Sequence, residues 1–134
     1  MVFVQGCPWR CHYCHNTELQ RRDGHTPNGW LQALGTLTRR RGLLDGVVFS
    51  GGEPTLDPAL PDAIMTVRDL GFKVGLHTAG IYPDRLAAIL PHLDWIGFDI
   101  KADFASYADV TAIARSGRPA QRSFECVLNA VKQQ

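Results

Sequence analysis

The sequence predicts an α/β fold: one domain of about four parallel βα units. Three observations carry that prediction. Short β-branched and aromatic runs alternate with stretches whose apolar residues recur at helical spacing. Repetition of that unit implies parallel strands joined by right-handed crossovers. Each unusual cluster of sulfur or polar residues also falls directly after a strand candidate, at the carboxyl end where parallel sheets carry their chemistry. Residues with purely structural duties have no reason to gather there.

The elements follow in order. Val2-Phe3-Val4-Gln5 is a short strand that runs into a cysteine loop. The polar stretch from Asn16 to Gly29 is too long for an ordinary connection, which points to a functional or mobile segment. Trp30 to Arg41 reads as a helix with Leu31, Leu34 and Leu37 facing inward. Asp45-Gly46 turns the chain into the buried strand Val47-Val48-Phe49, which ends at Ser50-Gly51-Gly52-Glu53-Pro54-Thr55. Asp57-Pro58 supplies a capping side chain and a first-turn proline for a helix carrying Leu60, Ala63, Ile64, Val67 and Leu70. Gly71 stops that helix. Lys73 to His77 is the next strand, closed by Thr78-Ala79-Gly80. Leu86, Ile89, Leu90 and Leu93 mark a third helix, and Trp95 to Ile100 a fourth strand ending at Lys101. A short helix is expected around Tyr107 to Ala114. Phe124, Val127, Leu128 and Val131 form a last helical stripe, with Cys126 read as a small core residue.

Bulk properties narrow the function classes. A chain of 134 residues is at most one domain, and its net charge of +1 gives no overall pull toward nucleic acid or a membrane surface. Arg21-Arg22 and Arg39-Arg40-Arg41 read as local solvated surface. No apolar run spans a bilayer and no signal-type leader is present, so the expectation is a cytoplasmic protein. The four cysteines do not form a disulfide framework, because three lie too close together to pair well and Cys126 is far away. Clustered thiols in a reducing compartment read as metal ligands. The chain begins almost inside its first strand and stops in a helix with no strand after it. Two raw sheet edges need cover, so the expectation is a truncated chain or one whose edges a partner covers.

Cys7, Cys11 and Cys14 are spaced C-x3-C-x2-C. Three thiolates on one loop can hold an iron–sulfur cluster by three corners and leave one iron open to a substrate or cofactor. The same loop with His12 or His15 could instead complete a Cys3His zinc site. The apolar neighbours Pro8 and Trp9 favour the cluster, since they exclude water from it. Tyr13 reads either as a surface ring or as a ring lying over the open corner. Gly51 and Gly52 allow close approach of a ligand to the main chain. Glu53 reads as an acceptor for an ammonium group or as a solvated turn residue. His77 ends an apolar strand, where a structural histidine is the common case. Asp99 and Lys101 share a face of their strand and form either a structural ion pair or a carboxylate-binding cation.

These segments together resemble the radical S-adenosylmethionine (SAM) superfamily. Within it they are most similar to the activating proteins of glycyl-radical enzymes, in particular those of anaerobic ribonucleotide reductase. The resemblance is carried by Phe3–Asn16, Val48–Thr55, Leu76–Gly80 and Gly97–Lys101. It implies that Cys7, Cys11 and Cys14 ligate a [4Fe-4S] cluster whose fourth iron chelates the amino and carboxylate groups of SAM. It further implies that Tyr13 lies near the adenine. Gly51, Gly52 and Glu53 receive the amino group, His77 and Thr78 lie beside the methionine or ribose, and Lys101 with Asp99 holds the carboxylate end. His77 stands where an activating enzyme can carry Asp.

The implied reaction is reductive cleavage of SAM to methionine and a 5′-deoxyadenosyl radical. In activating enzymes that radical removes hydrogen from a glycine Cα of the partner, here the large subunit of anaerobic ribonucleotide reductase. The implied electron donor is a flavodoxin or a ferredoxin-type protein. The family barrel has about six βα units and this chain supplies about four. The expectation is therefore a partial (βα) barrel over residues 1–134, incomplete at both ends: a fragment, a truncated product or a compact member. Two other functions remain open: a radical SAM enzyme for a small molecule or RNA base, and a non-enzymatic zinc- or cluster-binding module. No basic, aromatic-interleaved patch supports RNA.

Overall fold

The computed structural model describes residues 1–22 and 29–133. The described residues form β1 (Val2–Val4), α1 (Gly29–Arg39), β2 (Gly46–Gly51), α2 (Leu60–Asp69), β3 (Lys73–Thr78), α3 (Pro83–Ile89), β4 (Trp95–Phe98), α4 (Tyr107–Thr111) and α5 (Gly117–Lys132). The four strands make one parallel sheet in the order β1-β2-β3-β4. Spatial order equals chain order, so each connection crosses to the adjacent strand. Right-handed crossovers of that kind put successive helices on the same face.

That face is the core. Val47 and Phe49 of β2 and Val74 and Leu76 of β3 pack with Leu37 of α1, Leu60, Ile64 and Val67 of α2, Leu86 and Ile89 of α3, and Val127 of α5. Leu60, Ile64 and Val67 lie at i, i+4 and i+7, one stripe of a helix. Each such aliphatic side chain contributes about 1.5–3 kcal/mol when removed from water. Because side chains alternate along a strand, the residues between them face the other way. Phe3 pairs with Ser50 and His77 with Gly97 in the register. Phe3, His77 and Trp95 are exposed on that opposite face.

Asp57 and Pro58 do not start α2 as expected: Asp57 Oδ1 accepts from Ala59 N at 2.9 Å in a turn ahead of the helix, whose N-cap is Ala59 without a side-chain cap and whose first-turn proline is Pro61. Several other expectations are corrected. α1 ends at Arg39, and Leu31 is 64% exposed because the helix turns Trp30 and Leu37 toward the sheet, Trp30 meeting Phe49 of β2 at 6.2 Å between ring centres. β4 ends at Phe98, leaving Ile100 outside it and half exposed. α4 ends at Thr111, where Ala112 adopts a left-handed conformation (φ 59°). In α5 the buried positions are Gly117, Ala120, Ser123 and Val127, whereas Leu128 and Val131 face out and Cys126 is half-buried. Close approach to the rest of the fold selects the small residues on this helix. Of the long polar stretch from Asn16 to Gly29, residues 23–28 lie outside the described residues.

Candidate active site

The carboxyl ends of the strands meet at a cavity of about 280 Å³, near the lower bound of roughly 300 Å³ for small-molecule sites. Cys7, Cys11, Cys14 and Tyr13 line one side, and Gly51, Gly52, His77, Thr78, Asp99 and Lys101 the other. Ten of the eleven site residues expected from the sequence therefore meet at one place. Glu53 is the exception. It sits behind Gly52 and is fully buried.

The cysteine loop is fastened to the sheet at its base and to the last helices at its crown. Gly6 N donates to Leu19 O at 2.8 Å, Cys7 N to Gln20 O at 3.1 Å, and Glu53 N to Gly6 O at 2.8 Å. Gly52 must be glycine: an added Cβ would lie 2.3 Å from Gly6 O and 2.8 Å from Leu19 O. Gly51, at φ +121°, is pressed as closely against the Val4 main chain. At the crown, Arg10 N donates to Thr111 O at 2.9 Å. Trp9 is buried with Ile81, Tyr107 and Ala120. Its ring meets Tyr107 edge-on at 5.8 Å between centroids, an arrangement the ring quadrupoles favour.

Tyr107 joins this crown to the opposite wall, since its hydroxyl accepts from Lys101 N at 3.1 Å. The Lys101 ammonium donates to Asp99 Oδ2 and stands 5.3 Å from the centre of the Tyr13 ring. Burial works to lower the Lys101 pKa, but the hydrogen bond and charge of Asp99 outweigh it and hold the ammonium above its usual 10.5. Burial raises the Cys7 thiol above 9.0; a main-chain hydrogen bond from Trp9 opposes this and the Glu53 charge adds to it. Cys11 is raised by burial as well, with Lys101 pulling it down. His77 is exposed at the cavity, its ring 4.9 Å from that of Trp95 and edge-on to it.

The thiols fit an iron–sulfur cluster. All three are free and half-buried, and they line a common cavity. Among the described residues no three His, Cys, Asp or Glu side chains converge closely enough to hold one metal ion. A cluster needs its thiolates at separate corners, which suits this arrangement better than a single zinc ion does. Sequence reasoning did not assign Ser50, Ala79, Asn16 and Gln20, which also line the cavity. It also missed the role of Tyr107. Its contacts reach residues far away in the chain, so no local signal marks it.

The model of the radical SAM superfamily matches residues 1–133. The chain belongs to the radical SAM superfamily. Members of that superfamily use a [4Fe-4S] cluster and SAM, and three free cysteines stand together on one loop here. One relative, from Methanocaldococcus jannaschii, is named for glycyl-radical enzyme activation. It is 26% identical over 98% of this chain and 55% of its own length. The pyruvate formate-lyase-activating enzyme of Clostridium pasteurianum is 34% identical over 87% of this chain and 52% of its own. The chain thus spans about half the length of these curated relatives. A solved structure of TYW1 with a lysine-pyruvate adduct bound superposes on 90% of the chain and 47% of its own, with a TM-score of 0.58 and 19% identity. That likeness concerns the fold: this radical SAM chain is an α/β, open, four-stranded part of the parallel architecture. No described helix is long and apolar enough to cross a membrane.

Proposed function

We propose that residues 1–134 form one radical SAM domain that binds a [4Fe-4S] cluster and SAM and serves to install a glycyl radical on a partner enzyme. One observation carries this reading: three free thiols face Gly51, Gly52 and Lys101 across a single cavity. Cys7, Cys11 and Cys14 would hold the cluster. When bound, the cluster would supply the electron that cleaves SAM to methionine and a 5′-deoxyadenosyl radical, which takes hydrogen from a glycine Cα of the partner.

The chain's own residues bind and orient. The carbonyls exposed at Gly51 and Gly52 accept from the ligand's ammonium, and Lys101, steadied by Asp99, receives its carboxylate as a point charge. His77 and Thr78 line the wall between these two anchors, beside the methionine or ribose, and Tyr13 offers its ring and main chain to the adenine. Buried Trp9 and Tyr107 keep water from the crown of the loop.

The partner we propose is the large subunit of anaerobic ribonucleotide reductase, with a flavodoxin or ferredoxin-type donor. The setting is the cytoplasm, where clustered thiols stay reduced. Support for activation comes from the relatives named for that role. The test is anaerobic incubation of reconstituted, dithionite-reduced protein with SAM and the candidate reductase. The expected result is 5′-deoxyadenosine together with a glycyl-radical EPR doublet. SAM cleavage without a radical on any candidate partner would overturn the activating role.

A further inference from the structure

The Glu53 carboxylate is turned away from the cavity that its neighbours line. Oε1 accepts from Thr55 N at 3.2 Å, from Thr55 Oγ1, and from Thr78 Oγ1 at 2.7 Å; Oε2 accepts from Ala79 N at 2.9 Å. Its own N–H donates to Gly6 O. One buried residue thus joins the end of β2, the end of β3 and the base of the cysteine loop. Gly52, Thr78 and Ala79 reach the cavity wall and Glu53 does not.

We propose that Glu53 is a positioning residue, a strut between the two strand ends that sets the main-chain groups of Gly51, Gly52 and Ala79 around the ligand without touching it. Hydrogen bonds to a carboxylate are stronger than neutral ones. Turning the side chain toward a ligand would leave four buried donors on Thr55, Thr78 and Ala79 unpaired, and their combined penalty exceeds the gain from one new contact. Carbonyl oxygens serve an ammonium as acceptors equally well, and both glycines line the cavity. The strut itself is independent of the ligand's identity; only its consequence for binding rests on the SAM reading above.

Two variants test this. Glu53→Gln keeps the shape but points an NH2 group at a donor. Thr55→Val removes one donor at a residue that does not reach the cavity. The readouts are thermal unfolding of the metal-free protein, and affinity of the reconstituted protein for SAM and for the analogue lacking its α-amino group. Glu53→Gln is expected to lower the metal-free Tm by about 5–10 °C, Thr55→Val by less. The double variant should lose less than the two single losses together, because the partners share a bond. Glu53→Gln should weaken both SAM and the amino-free analogue, SAM the more, because Ala79 and the base of the loop move together with the carbonyls that meet the ammonium. A metal-free Tm equal to wild type, with weakening confined to SAM, overturns the strut in favour of direct ammonium contact. If Glu53→Gln does not fold, Thr55→Val decides: a lowered Tm with both ligands weakened supports the strut, and no change in either overturns it. If the wild type binds neither ligand, the SAM reading fails, while the melting comparison still decides the strut.

Discussion

Replacing Gly52 with alanine places a methyl group where the cysteine loop meets the sheet. The new Cβ would stand 2.3 Å from Gly6 O and 2.8 Å from Leu19 O, roughly 1 Å inside ordinary van der Waals contact for the closer atom. Both atoms are main chain and cannot rotate away. Both also accept hydrogen bonds, Gly6 O from Glu53 N and Leu19 O from Gly6 N, each at 2.8 Å. Relief therefore means moving the base of the loop and stretching two bonds. Overpacking costs about 1–3 kcal/mol and each lost bond about 1 kcal/mol, so with two bonds the expected loss is about 3–5 kcal/mol. The assay is urea unfolding of the metal-free protein, paired with iron and sulfide content after anaerobic reconstitution. Stability and iron content should fall together. Gly71→Ala is the control: its φ is +90° and no atom lies within 4 Å of the added Cβ. It should cost only left-handed strain, about 1–2 kcal/mol, and keep its iron. Gly52→Ala with wild-type stability and full iron loading would refute the reasoning.

Four further outcomes are expected. Serine at Cys7, Cys11 or Cys14 abolishes iron and sulfide retention, whereas Cys126→Ser, on half-buried α5 surface, leaves both unchanged by metal analysis. Lys101→Met weakens SAM binding about 10–100-fold in equilibrium titration, the value of a charge-assisted contact, with iron content intact. Tyr107→Phe frees Lys101 N while keeping the ring against Trp9, so affinity for SAM falls about fivefold with about 1 kcal/mol of stability. The fourth concerns pH. Burial raises the folded pKa of Cys7 above 9.0, so the folded state binds the proton more tightly than the unfolded chain. This contribution to metal-free stability is complete below pH 9.0 and is lost as pH rises through the folded value. Unfolding free energy measured from pH 8 upward should decline there, and less steeply in Cys7→Ser.

The parts of this site that could be read in the sequence are those encoded locally. Cys7, Cys11 and Cys14 occupy eight residues, so any compact loop keeps them together. The strand ends at Gly51 and Thr78, and the place of Lys101 three residues beyond β4, follow from periodicity plus the rule that parallel sheets place chemistry at their carboxyl ends. What could not be read depends on distant partners. The orientation of Glu53 is decided by Thr78 and Ala79, 25 and 26 residues on. Tyr107 acquires its role from Trp9 and Lys101. Hydropathy also misled where packing was decided by size. In α5 the buried positions include Gly117, Ala120 and Ser123, while apolar Leu128 and Val131 face outward. On α1, Leu31 keeps the helical spacing but finds nothing to cover it.

The central claim is that the three thiols hold a cluster with one iron free to bind SAM. The most direct measurement is the EPR spectrum of the anaerobically reconstituted, reduced protein before and after adding SAM, alongside iron and sulfide counts. The account predicts four irons and four sulfides per chain, as a [4Fe-4S] cluster requires, and a reduced-cluster signal whose g values shift with SAM. One equivalent of zinc without sulfide, or a cluster signal that SAM leaves unchanged, would contradict it.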